Sequence, residues 1–232
     1  MIPYRDTIPC RYTPWLTWTL IFVNVAVFLY GEFLSPQSLQ NFLYLRGLVP
    51  MRFTSPDWAA RVGFPVGDFT PFITSMFMHG SWLHLVTNLW MLWIFGDNVE
   101  DRMGQVRFLA FYLICGLASG ILHVVANPVS TVPTIGASGA LAGILGAYFF
   151  LFPYARVIIW VFFLPLFVPV PAISFLGVWV ILQLHKATVG LAPGASYADV
   201  AWFGHLGGFI AGMLSYRFFL LRDRMEKMPY QF

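Results

Sequence analysis

The chain has 232 residues, 59% of them hydrophobic and 10% charged, with a net charge of +3 and a mean hydropathy of +0.73. Soluble domains carry about a quarter charged residues, so the composition excludes one and points to a single membrane-embedded domain over residues 1–221 with a polar cytoplasmic tail at 222–232. The small positive balance sits on no soluble basic module, so no nucleic-acid partner is expected. Cys10 and Cys115 form neither a disulfide framework nor a metal signature.

Six spans are read from the hydropathy pattern. The first runs from Pro14 to about Tyr30, with Trp15 and Trp18 suited to a membrane interface. No small-residue cleavage pattern follows it, so it is read as retained. The connection from Gly31 to Met78 is long but not polar, and its apolar residues recur at helical spacing. Ser55-Pro56-Asp57 and Thr70-Pro71 resemble helix starts, a capping hydroxyl followed by proline. Short helices lying in the interface are expected there.

The second span runs from about Ser81 to Gly96 and carries His84 and Asn88; a polar loop, Asp97 to Arg107, is expected after it. Between Phe108 and Ala155 there is no charged residue, and this stretch holds the third span, to Ala126, and the fourth, from Ser138 to about Phe152. A fourth span this short falls below the roughly twenty residues that a bilayer core requires, which leaves Ser138 beneath the surface. Pro165, Pro169 and Pro171 argue against a helix over Val157 to Val170, so that stretch is read as interfacial or re-entrant. The fifth span is placed at Pro171 to Lys186 and the sixth at Ala201 to Leu221.

With both termini cytoplasmic, the inner segments hold nine lysines and arginines and the outer segments four, the bias that orients membrane proteins. A multi-pass protein of the cell's inner membrane is expected. In that topology His79, His84, Ser138 and His205 all lie toward the outer face.

Ser138 stands in Thr134-Ile135-Gly136-Ala137-Ser138-Gly139-Ala140, where a serine among small residues reads first as packing. Gly139, Ala142, Gly143 and Gly146 form a stripe without bulk on the fourth span, and Gly204, Gly208 and Gly212 form another on the sixth. If the stripes face each other, the Ser138 hydroxyl and His205 imidazole come within hydrogen-bond reach, the arrangement that activates a weak nucleophile. His84 and Asn88, four apart, share one helical face. They serve either as an interhelical hydrogen-bonding pair or, with the Ser138 amide at a helix N-terminus, as donors to an oxyanion.

His79-x4-His84-x3-Asn88, Gly136-x-Ser138-Gly139 and Gly204-His205-x2-Gly208-x3-Gly212, in this order on the second, fourth and sixth spans, resemble the rhomboid family of intramembrane serine proteases. The resemblance implies an all-α, six-helix membrane bundle with a long interfacial first loop. It implies a Ser138–His205 dyad, an oxyanion site from His84, Asn88 and the Ser138 amide, and a supporting role for His79, Gly136, Gly139, Gly208 and Gly212. Transmembrane segments of other membrane proteins would be the substrates, cut near the outer face within the lipid bilayer, with no metal or cofactor.

The chain departs from the family pattern twice. Thr70-Pro71 stands where many members carry a Trp-Arg pair. Ala142 stands where some members carry a tyrosine that stacks on the catalytic imidazole, so the group that orients His205 must come from elsewhere. Asp199, six residues before His205, reads as a solvated loop residue, and His123 and His185 as packing or interfacial residues. No HExxH occurs, and His79 and His84 would lie about 140° apart on an ideal helix, so zinc is disfavoured. A non-catalytic scaffold on the same fold, binding client helices, is the alternative. A transporter would call for charged residues along a mid-membrane path.

Overall fold

Apolar runs punctuated by proline and glycine set the element order. The structure, a computed structural model, describes residues 2–161, 166–190 and 201–226. Strand β1 (Ile2–Asp6) precedes α1 (Trp15–Glu32). The first connection folds into α2 (Pro36–Arg46), α3 (Pro50–Thr54), α4 (Pro56–Arg61), α5 (Pro71–Thr74) and a 3-10 turn at Ser75–Phe77. Then come α6 (Trp82–Met103), α7 (Gln105–Ala126), α8 (Ser138–Leu151), β2 (Arg156–Val161), β3 (Leu166–Pro171), α9 (Ala172–Gly190), α10 (Trp202–Phe219) and α11 (Arg222–Glu226). The molecule is mostly helical, and α1, α7 and α9 are long and apolar enough to cross a membrane.

Proline opens each of the short helices α2 to α5, where a missing N–H costs nothing. Ser35 caps α2 by accepting from the Ser38 amide. The two hydroxyls expected as caps behave otherwise: neither Ser55 nor Thr70 makes a side-chain cap bond. Thr70 instead donates to Asp68 through both its amide (2.9 Å) and its hydroxyl (2.6 Å). These bonds, and then Arg52 at 2.8 Å, hold the Asp68 carboxyl below its ordinary value.

Helix α8 is the axis of the core, packed against α6, α7 and α10. Ala142, Ile144, Ala147 and Tyr148 are fully buried along it. Its fourteen residues span about 21 Å at 1.5 Å per residue, short of a bilayer core of about 30 Å. The glycine stripes do face each other. A Cβ at Gly208 would strike the Gly139 carbonyl oxygen, and one at Gly212 the Gly143 carbonyl oxygen. Backbone therefore packs on backbone, a separation that only glycine permits.

Two expectations need correction. The first is the all-α architecture: β1, β2 and β3 form an antiparallel sheet in the order β1-β2-β3. The stretch that prolines barred from helix has become a hairpin, with Arg156 opposite Pro171 and Trp160 opposite Phe167. Pro3, Pro169 and Pro171 all lie on the two edge strands, and the central strand β2 has no proline. Proline lacks the donor that a central strand needs. The Trp90 indole ties the sheet to α6 by donating to the Pro3 carbonyl at 2.6 Å. Pro165 lies outside the described residues.

The second correction concerns the loop expected from Asp97 to Arg107. Helix α6 continues to Met103, and the only break before α7 is Gly104 at φ +72°. Asn98, Glu100, Asp101 and Arg102 are buried in this stretch, and each bonds to another element. Glu100, 2% exposed, accepts from the Leu16 amide (3.0 Å), the Thr17 amide (2.7 Å) and the Thr17 hydroxyl (2.8 Å). A carboxylate thereby caps the N-terminus of α1, where orphan amides and the helix dipole favour negative charge. Asp101 accepts from the Arg11 and Tyr12 amides at 3.2 and 2.9 Å. Asn98 and Tyr148 both donate to Asp6, at 2.6 and 2.5 Å, while burial pushes the Asp6 carboxyl up to about 6.

The start of the polar tail forms α11 and docks on the same end of α6. The Leu221 amide donates to the Arg102 carbonyl at 3.0 Å and Arg224 to the Asp101 carbonyl at 3.0 Å. Tail residues 227–232 lie outside the described residues.

Candidate active site

The chain before Ser138 has little regular structure and is held from two sides. Leu48 and Thr134 exchange backbone hydrogen bonds at 2.9 Å, and Met51 donates to the Ser130 carbonyl at 2.9 Å. His123, buried on α7, meets the Thr134 hydroxyl through Nε2 at 2.7 Å. The Gly136 amide donates to the Ser75 carbonyl at 2.8 Å. The long first connection thus braces the segment that delivers the serine.

Gly136 has φ +130°, and a Cβ there would lie 2.8 Å from His84 Nε2 and 3.7 Å from Ser138 Oγ. The position excludes other residues both by its dihedral and by the imidazole packed against it. His84 and Ser138 consequently border the same small space. Ser138 opens α8, so its amide is among those without an intrahelical acceptor.

Across the α8–α10 contact, Ser138 Oγ lies 2.8 Å from His205 Nε2. The serine and histidine joined in the sequence by two glycine stripes therefore do meet. Asn88, one turn along α6 from His84, donates to the His84 carbonyl at 2.8 Å, which leaves its second N–H for another acceptor. His79 is buried behind His84, ring centroids 4.9 Å apart, and among the described residues neither of its nitrogens has a hydrogen-bond partner.

All of these groups but His79 line a cavity of about 480 Å³ between α6 on one side and α9 on the other. His84 and Asn88 face it from α6, Ser138 from α8 and His205 from α10. The arrangement provides a hydroxyl donating to an imidazole, with an imidazole, an amide and a helix-terminal N–H nearby. Such a set can form and stabilise a tetrahedral adduct at a carbonyl carbon.

Sequence reasoning missed one contact. Gln183 Oε1 lies 2.9 Å from His205 Nδ1. The signal was present: Gln183 interrupts the apolar run of α9, and a polar side chain inside such a helix calls for a partner. Trp179, one turn before it, has its ring 6.3 Å from the imidazole. His185 is exposed on α9, and Asp199 lies outside the described residues.

Fold and site together define a membrane protein with a serine–histidine pair at the start of a buried short helix. The rhomboid domain model matches residues 66–222, more than half of the chain, and the chain belongs to the rhomboid family. It is 31% identical over 146 residues to Rhomboid protein 1, mitochondrial, of Saccharomyces cerevisiae, which covers 61% of this chain and 39% of that protein. It is 30% identical over 146 residues to the human Presenilin-associated rhomboid-like protein, mitochondrial, covering 62% of this chain and 36% of that one. Rhomboid-like protease 5 of Toxoplasma gondii is 36% identical over 85 residues, covering 35% of this chain and 9% of that protein.

The match thus spans well under half the length of these relatives. The yeast and human proteins are named as mitochondrial. The expected placement in a cell's inner membrane gains no support from them.

Proposed function

We propose that this chain is an intramembrane serine endopeptidase that cleaves transmembrane segments of other membrane proteins by a Ser138–His205 dyad. The observation that carries this reading is the 2.8 Å contact between Ser138 Oγ and His205 Nε2 in a cavity that also holds His84 and Asn88. The fold would be a six-span bundle of α1, α6, α7, α8, α9 and α10, with both termini on the side richer in lysine and arginine. The cavity would then open toward the opposite face.

His205 Nε2 takes the hydroxyl proton as Ser138 Oγ attacks a peptide carbonyl. The oxyanion that forms is met by His84, Asn88 and the Ser138 amide. Collapse of the adduct breaks the C–N bond, and the imidazolium returns its proton to the leaving amine. Water then attacks the acyl-enzyme by the same route, with His205 again as the base. A substrate helix reaches the cavity between α6 and α9, the two helices on either side of it.

The test is covalent labelling. With the full chain purified in detergent, a fluorophosphonate probe is expected to modify Ser138, located by peptide mass spectrometry, and to leave Ser138→Ala and His205→Ala unmodified. An unlabelled parent that still binds client helices would overturn the reading in favour of a scaffold.

A further inference from the structure

We propose that Gln183 is the positioning residue for His205, so that α9 carries part of the machinery assigned above to α8 and α10. The inference rests on that reading of the site and adds to it a residue outside the three family motifs.

The imidazole is held at both nitrogens. Ser138 Oγ is 2.8 Å from Nε2 and Gln183 Oε1 is 2.9 Å from Nδ1. Opposed bonds of this kind fix both where the ring sits and how it is rotated. An amide oxygen only accepts, so Nδ1 must carry the proton. The Nε2 lone pair is thereby turned to the serine, as the proton transfer requires.

Gln183 is only 7% exposed, so water competes little for the bond. Among the described residues no carboxylate hydrogen-bonds to His205. When the ring gains its second proton during attack, the Nδ1–H to Oε1 bond becomes charge-assisted and strengthens. The amide thus favours the charged intermediate without placing a charge of its own in the bundle.

The rest of α9 agrees with this role. Trp179 and Gln183 are four apart and share one helical face. The Trp179 ring lies 6.3 Å from His205 at 33° and 5.9 Å from Phe209, one turn further along α10. Trp202 meets the imidazole edge-on at 5.9 Å. Position 142 is a fully buried alanine and offers no ring, so the aromatic contacts to His205 come from Trp179 on α9 and Trp202 on α10.

The first turns of α9 are tied to the chain just after α8. Ala172 and Leu176 are fully buried, and the Ala172 and Ile173 amides donate to the carbonyls of Ala155 and Pro153. Further along, Val178, Ile181, Leu182 and Leu184 are exposed. The half of α9 that holds Gln183 buries Gln183 and Ala187 but exposes these four apolar side chains. Displacing it would withdraw the amide from His205, so the base is complete only while α9 is seated.

The experiment compares the parent with Gln183→Leu and Gln183→Glu, each purified as the full chain in detergent. Probe labelling, reporter cleavage, thermal midpoint and pH–rate profile are measured for all three. Gln183→Leu keeps bulk and loses the acceptor, so kcat and labelling rate are expected to fall about 100-fold, the scale of general-base catalysis, with KM and thermal midpoint unchanged. Gln183→Glu keeps an acceptor and adds charge, so it is expected to retain labelling and to move the acid limb of the kcat profile upward by about one pH unit or more.

If the parent itself neither labels nor cleaves, the protease reading fails whatever Gln183 does. If the parent labels and Gln183→Leu matches it in rate and pH profile, the positioning role fails and the protease reading stands. Should Gln183→Leu not fold, an unshifted acid limb in Gln183→Glu would overturn the role on its own.

Discussion

Adding a single methyl group at Gly208 is expected to lower reporter cleavage by about 100-fold, the scale of a 1 Å misplacement of reacting groups. The new Cβ would strike the Gly139 carbonyl oxygen, and a helical backbone cannot yield as a side chain does. Helices α8 and α10 must separate, and the Ser138–His205 contact lies at the adjoining turn. The same overpacking is expected to cost about 1–3 kcal/mol of stability. Gly177→Ala is the matched control. Among the described residues nothing lies within 4 Å of a Cβ at Gly177, so this variant is expected to cleave as the parent does and to gain slightly in helix stability. Cleavage rates and thermal midpoints of the two variants, measured side by side, separate a packing effect from a general intolerance of substitution.

Glu100→Ala is expected to destabilise the protein by about 3 kcal/mol, read as a lowered thermal midpoint in detergent. The carboxylate receives two backbone amides and one hydroxyl at the head of α1. Truncation leaves two buried donors and one half-buried donor without this acceptor and removes the charge that the helix terminus favours. Glu100→Gln retains one carbonyl oxygen and is expected to lose less. Glu100 lies about four turns along α6 from the His84–Asn88 pair, so the remaining folded fraction is expected to keep the parent's KM. A midpoint unchanged in Glu100→Ala would show that the cap contributes nothing to holding α1.

How far the molecule was legible in its residues differs from element to element. Helix α8 was readable to within one residue, because its apolar run begins at Ser138 and ends where Pro153 and Arg156 interrupt it. The Ser138–His205 contact was legible as a possibility from two small-residue stripes, since backbones without side chains between them can approach closely. The extension of α6 through Met103 was not legible. Asp97, Glu100, Asp101 and Arg102 look like a solvated loop until their partners on other elements are known. The sheet was hidden for a related reason: prolines excluded a helix, but the pairing of β2 with β1 joins positions more than 150 residues apart in the chain. Gln183 was visible as a polar residue in an apolar helix, yet its partner sits on α10, and nothing in the order of residues joins them.

The most direct test of the account is cleavage of a membrane-protein reporter by the purified full chain in proteoliposomes, compared with its Ser138→Ala variant. The parent is expected to cut the reporter within its transmembrane segment, and Ser138→Ala, folded to the same thermal midpoint, is expected to leave it intact. Equal cleavage by the two proteins would contradict the assignment of Ser138 as the nucleophile.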